Sequence, residues 1–236
     1  MKNESQTAPD VPVVSSALFG LRPYHEEAAV TIYHGDCRQI VPLLGRFDLL
    51  LTDPPYGIGK WSVNSTGGFM TKEEAKKLDW DASAPPPWLL HMLVDSCEKS
   101  IVWGGNYMGL PPSSRVLVWD KQNKGMHFAE AEVAWTNFTT GTTRILNLGI
   151  KGTEVFGGAS EREHPTQKPI SLLHWCIQQA GDVQTILDPF AGSGTTGRAA
   201  KNLGKRAVLI EREERYCEIA ARRLAQDVLP LDCPNA

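Results

Sequence analysis

Basic residues are not in excess. Lys and Arg number 24 against 27 Asp and Glu, a formal net charge of -3. Nothing global advertises a polyanionic partner, so contact with nucleic acid must come from a local patch of Lys and Arg. Cysteine is scarce. Cys37, Cys97, Cys176, Cys217 and Cys233 are odd in number and never form a C-x-x-C pair. That scatter argues against a zinc site or a disulfide framework and for reduced thiols in a cytosolic protein. Long hydrophobic runs are missing too, and so is a secretory signal pattern. The expectations are no metal, no membrane and a cytoplasmic location.

Hydrophobic residues make up 42% of the 236 and charged ones 22%, the balance of an ordinary globular protein. The length suits one large domain with small insertions. Residues 1–20 open polar and proline-containing and are expected to be a flexible tail. Residues 21–230 are expected to form the domain.

Short apolar runs alternate with helical patterns, which predicts an α/β fold with a mostly parallel twisted sheet and helices on both faces. The predicted strands are Val30–His34, Phe47–Thr52, Ser100–Trp103, Arg115–Trp119, Ala131–Phe138, Thr185–Leu187 and Arg206–Ile210. Pro86 and Pro87 can open a helix whose face carries Leu90, Leu93, Val94 and Cys97. Ser171 is the expected cap of a second, with Leu172, Leu173, Cys176, Ile177 and Ala180 on its apolar side. A third runs from about Thr195 to Leu203 and stops at Gly204. A fourth spans roughly Arg215 to Gln226. The glycine-bearing stretches 57–80 and 139–163 resist assignment, and unstructured segments of that length are usually functional or disordered.

Two motifs carry chemistry. Thr52-Asp53-Pro54-Pro55-Tyr56 follows an apolar strand, which puts a carboxylate and a stiff carbonyl at the carboxyl edge of a sheet. Pro54 and Pro55 fix φ and hold that backbone rigid. Asp53 and the Pro54 carbonyl can accept both N–H bonds of one amino group, and Tyr56 offers a face for a base. The plain alternative is a strand followed by a turn. Asp188-Pro189-Phe190-Ala191-Gly192-Ser193-Gly194-Thr195-Thr196 is a glycine turn between a strand and a helix, the geometry of a Rossmann-type cofactor loop. Gly192 and Gly194 let backbone approach a ligand. Glu211 ends the next strand, where an acidic residue can take ribose hydroxyls.

Together these motifs resemble the amino-methylating DNA methyltransferases. The order, catalytic tetrapeptide first and cofactor loop last, resembles the β class, a circular permutation of the common Rossmann-like S-adenosylmethionine-dependent fold. His164-Pro165-Thr166-Gln167-Lys168-Pro169, Gly35-Asp36-Cys37, Trp103-Gly104-Gly105-Asn106 and Trp119-Asp120-Lys121 are similar to lesser family elements. The resemblance covers about residues 30 to 226. It implies that Asp53, Pro54, Pro55 and Tyr56 hold the target base, with Asp53 also bordering the cofactor. It implies that Asp188, Phe190, Gly192, Ser193, Gly194 and Thr195 surround the methionine part of S-adenosylmethionine. Glu211 would take the ribose, Asp36 and Cys37 would border the adenine ring, and Thr166 and Lys168 would reach the carboxylate.

The implied reaction is methyl transfer to adenine N6 in DNA. Asp in the first place of the tetrapeptide is more typical of adenine enzymes, and cytosine N4 stays open. Base extrusion would cost a few kcal/mol. The segment 139–163 is short for target recognition, so a homodimer or the 57–80 loop could contribute. A guanine N2 or protein-glutamine methyltransferase would place the cofactor loop first. A catalytically silent DNA-binding relative stays open until cofactor binding is measured.

Overall fold

The structure, a computed structural model, describes residues 20–57, 83–125, 129–149 and 167–225. Thr166, His164 and Pro165 lie outside these residues, as do the tail to residue 19, nearly all of the 57–80 stretch and 150–163.

Among the described residues nine strands form one sheet: β1 (His25–Glu26), β2 (Val30–His34), β3 (Phe47–Thr52), β4 (Cys97–Trp103), β5 (Leu117–Asp120), β6 (Ala131–Thr136), β7 (Arg144–Asn147), β8 (Thr185–Asp188) and β9 (Arg206–Glu211). Their spatial order is β1-β2-β9-β8-β3-β4-β6-β5-β7. From β2 through β4 every pairing is parallel. Strand β6 runs antiparallel to both β4 and β5, β7 is parallel to β5, and β1 is antiparallel to β2. The carboxyl ends of β2, β9, β8, β3, β4 and β5 therefore share one edge, and β6 begins there. Although β3 and β8 lie far apart in the chain, they are neighbours in the sheet, with Leu50 opposite Leu187. That adjacency is what brings the two motifs together.

Helices cover both faces, which is why the central strands carry apolar residues on every side. Leu49 and Leu51 point to one layer and Leu50 to the other, all fully buried. The first layer is built on α3 (Ile170–Ala180), α4 (Thr195–Asn202) and α5 (Glu214–Ala225), through Leu172, Cys176, Ala199, Ala200, Cys217 and Ala220. The second is built on α1 (Cys37–Ile40) and α2 (Pro87–Asp95), through Ile40, Leu89, Leu90 and Leu93. Each such leucine adds about 1.5–3 kcal/mol of burial free energy.

Several expected boundaries move. Helix α3 is capped by Pro169, extended at φ -61° and ψ 142°, and Ser171 sits inside its first turn with no capping bond. Cys97 belongs to β4, because α2 ends when the Ser96 hydroxyl turns back to donate to the Leu93 carbonyl. Arg115 precedes β5 in a turn in which its N–H donates to the Ser113 hydroxyl. Strand β6 stops at Thr136, before Phe138, where the Thr136 hydroxyl donates to the Arg115 carbonyl. Strands β1 and β7 and the single turn of α1 were not expected.

Candidate active site

The tetrapeptide leaves β3 at the shared edge. Tyr56 donates its hydroxyl proton to Asp53 Oδ1 at 2.7 Å, and the Lys168 ammonium donates to Asp53 Oδ2. A side chain on Gly104, which has φ +66°, would meet the Tyr56 ring at 2.4 Å, so only glycine lets that ring lie there. Tyr107, in the one-turn helix Gly105–Tyr107 after β4, stands beside it with ring centroids 6.5 Å apart. Tyr107 is 75% exposed, a second aromatic face open at the mouth of the site.

Lys168 is only 8% exposed. Its ammonium also pairs with Glu132 Oε2 at 3.3 Å and lies 5.1 Å from the Trp103 ring centre and 5.9 Å from that of Tyr56. Burial pushes this amine down, but the Asp53 and Glu132 carboxylates outweigh burial and hold it above the ordinary lysine value. Glu132 in turn pairs with Lys121 at 2.5 Å. Burial pushes the Glu132 carboxyl up, and Lys168 and Lys121 together bring it below its ordinary value. The base side of the site is thus a chain of alternating charge, Asp53, Lys168, Glu132 and Lys121.

The cofactor side is built otherwise. Asp188 ends β8, buried, and accepts from the Thr52 hydroxyl at 2.8 Å and the Phe190 N–H at 3.2 Å. The Thr52 bond ties the tetrapeptide's own strand to the loop. Burial pushes Asp188 up to about 6, against the pull of the Thr196 and Thr52 hydroxyls and the Phe190 N–H. Glu211 accepts from Gly192 N–H and Glu213 N–H, each at 2.8 Å, and burial holds its carboxyl above the usual range. Among the described residues neither carboxylate is in an ion pair.

The two loop glycines do different things. Gly192 has φ +50°, and a Cβ there would meet nothing within 4 Å, which leaves room for a ligand against its backbone. Gly194 has φ +78°, but its Cβ would strike Ala220 at 2.7 Å, so its bareness serves the packing of α5. Ser193 and Thr195 are buried, and both accept from the Arg223 guanidinium, at 3.1 and 2.9 Å. Arg223 also donates to Gln167 Oε1 at 2.9 Å, so α5 braces the loop against the segment before α3.

Asp36 caps α1, accepting from Arg38 N–H, and also pairs with the Arg38 guanidinium. Cys37 is buried, and burial pushes its thiol up to about 11, so it is an inert wall. Phe190 packs partly buried against the second layer. Pro54 is buried and Pro55 half-buried. Lys168, expected at the cofactor carboxylate, has its ammonium on Asp53 and Glu132. Sequence reading missed Glu132, Tyr107 and Arg223, and it quoted Trp103 and Lys121 without a role. A Gly-Gly-Asn-Tyr turn directly after an apolar strand was the available signal for Tyr107.

The fold and the edge together define a Rossmann-type methyltransferase. The DNA methylase family that modifies N6 and N4 amino groups matches residues 102–222, half of the chain. The chain belongs to this family and is an S-adenosylmethionine-dependent DNA methyltransferase. It is 26% identical over 252 residues to the Type II methyltransferase M2.DpnII of Streptococcus pneumoniae, covering 86% of this chain and 92% of that one. Over 67 residues it is 45% identical to the Type II methyltransferase M.HinfI of Haemophilus influenzae, 28% of this chain and 19% of that one. The M1.HpyAVI–SAM complex superposes with TM-score 0.53 at 20% identity, over 84% of this chain and 100% of that one. The cytosine-N4-specific PvuII DNA methyltransferase gives 0.54 at 14%, over 89% and 91%. These two likenesses concern the fold. Among the described residues no helix is long and apolar enough to cross a membrane.

Proposed function

We propose that this methyltransferase modifies the N6 amino group of adenine in DNA. The carrying observation is Asp53, an acceptor fixed by Tyr56 and Lys168 on a strand tied through Thr52 to the cofactor loop. The donor set fits S-adenosylmethionine. Gly192 leaves open space against its backbone, and the Glu211 and Asp188 carboxylates keep acceptor capacity beyond the bonds they already take. Bound there, the donor would supply an electrophilic sulfonium methyl. Glu211 would hold ribose hydroxyls, and Asp188 with the 190–195 loop would hold the methionine part. Thr166, Asp36 and Cys37 keep the assignments implied by resemblance.

The adenine amino nitrogen is a weak nucleophile because its lone pair is delocalised into the ring. Asp53 and the Pro54 carbonyl would each accept one of its N–H groups, which frees the lone pair to face the methyl group, and after transfer the methylated nitrogen would shed one of those protons to solvent. The work is orientation and stabilisation of positive charge on nitrogen. Held by Tyr56 and Lys168, Asp53 serves as a directed acceptor. Tyr56 would stack on the extruded base, and Tyr107 on a neighbour, each returning about 1–3 kcal/mol.

We assign residues 21–230 to one methyltransferase domain acting in the cytoplasm. The segments 57–80 and 139–163 would serve target recognition, with a second copy of the chain pooling contacts in a homodimer. Tritium transfer from labelled S-adenosylmethionine to DNA, followed by nucleoside analysis, tests the reading. Label in N6-methyladenine is expected. Label in N4-methylcytosine would move the target to cytosine, and no label in DNA would refute the reading.

A further inference from the structure

We infer that Glu132 is a positioning residue for methyl transfer, acting on Asp53 through Lys168. The inference rests on the catalytic reading of Asp53 given above.

Glu132 lies near the start of β6, the antiparallel strand that enters the sheet at the edge where its parallel neighbours end. Its carboxylate therefore reaches the site from across β4, the strand between β3 and β6. Lys168 lies between them, buried, with one carboxylate from the turn after β3 and the other from β6. The rings of Trp103 and Tyr56 wall it in. A buried ammonium in such a place is held by its partners, because an unpaired buried charge is strongly unfavourable. Lys121 fixes the far oxygen of Glu132, and its own ammonium lies 5.1 Å from the Trp119 ring centre.

The consequence falls on Asp53. Its two oxygens are set by two donors, Tyr56 on Oδ1 and Lys168 on Oδ2, and the orientation left for an incoming amino group depends on both. Tyr56 is only three residues away in the chain and moves with the tetrapeptide. Lys168 gives an outside reference only if something other than Asp53 holds it. Glu132 is that second tether. Without it, Lys168 would follow the Asp53 carboxylate wherever it turned.

The test uses the full chain and the variants Glu132→Gln and Glu132→Asp. Glu132→Gln should lower the single-turnover rate of methyl transfer by about ten- to a hundredfold, the scale of a misplaced reacting group. S-adenosylhomocysteine affinity should stay within about threefold, since the cofactor loop is untouched. Glu132→Asp, which keeps the charge, should recover most of the rate. A Gln variant that turns over like the parent overturns the inference. So does one that loses cofactor affinity as much as rate.

A second arm needs no turnover. Trace acetylation read by mass spectrometry should label Lys168 about tenfold faster in Glu132→Gln, as the amine loses a partner that favours its charged form. An unchanged labelling rate overturns the inference. A parent chain that transfers no methyl group to DNA would refute the functional reading instead, and the labelling arm would still decide whether Glu132 holds Lys168.

Discussion

The two halves of the site stand side by side on one sheet edge and treat their carboxylates in opposite ways. On the cofactor side, Asp188 and Glu211 are satisfied by hydroxyls and backbone N–H groups, which are neutral. On the base side, Asp53 and Glu132 are satisfied mainly by lysines. Neutral donors leave the negative charge in place, ready for a cationic or hydroxyl-bearing ligand. Lysines balance the charge and leave geometry as the main contribution. The difference teaches what each half is for: one attracts its ligand electrostatically, the other aims an acceptor.

The sharpest way to break this contrast is Asp53→Ala. It should lower methyl transfer by about a thousandfold, the scale of losing one preorganised transition-state contact. S-adenosylhomocysteine affinity, measured by calorimetry, should change little. Turnover near that of the parent chain would remove Asp53 from the chemistry. A parallel collapse of affinity would mean that the halves are not separable.

Next comes the pair of loop glycines. Gly192→Val should weaken S-adenosylhomocysteine binding by about a hundredfold, through lost ligand space and a left-handed φ that a β-branched residue resists. The variant should still fold, with some stability lost to the strained φ, since the new Cβ meets nothing within 4 Å. Gly194→Ala should instead lower the melting temperature, because its Cβ strikes Ala220. Melts and calorimetry on both variants read this directly. The reverse pattern would exchange the two roles.

The contrast between the halves was only partly legible in the sequence. Both motifs are contiguous, each set by a strand's end, so local pattern found them and the parallel strands that carry them. The strands β2 and β3 were placed to the residue because each carries a dense set of buried apolar side chains, Val30, Ile32 and Tyr33 in one and Phe47 and Leu49 to Leu51 in the other, and each stops at a turn signal, Gly35 and Asp53-Pro54. Strand β7 was missed for the opposite reason. It is a sheet-edge strand with three of its four residues exposed, and it has little pattern to show. The charge chain was invisible because it is assembled by topology. Lys168 and Asp53 are 115 residues apart, and nothing local marks Glu132 as different from Glu130 beside it. Ser171 misled because a serine before an apolar run looks like a cap, whereas Pro169 already supplies the extended residue that starts the helix.

Tyr56 sharpens the base side. Sequence alone gives its ring face a role, while the structure adds a hydroxyl bond to Asp53. Tyr56→Phe should therefore lower the single-turnover rate by about tenfold, for one lost hydrogen bond to a charged group. Tyr56→Ala should lower it by several times more, since it loses the stacking face as well. Equal losses in the two variants would assign the whole effect to the hydroxyl.

The smallest effect probes the cofactor side through pH. Asp188 titrates near 6 in the folded protein, chiefly because burial disfavours its charged form. In the unfolded chain it titrates near 4. Between those values the folded state binds the extra proton, so this group's contribution to stability is full below about pH 4 and is lost as pH rises through about 6. Asp188→Asn removes that dependence, and its melting temperature relative to the parent should rise across the same window. A ligand that brings positive charge to this carboxylate reverses the preference, because it favours the ionised form. S-adenosylhomocysteine, with its amino group, should therefore bind about tenfold more weakly to the parent chain at pH 5 than at pH 7, while its affinity for Asp188→Asn stays flat. Calorimetry at the two values decides the matter. A flat profile in the parent chain would mean that the Asp188 carboxylate does not face the ligand's charge, and that the two halves of the edge differ in structure without differing in use.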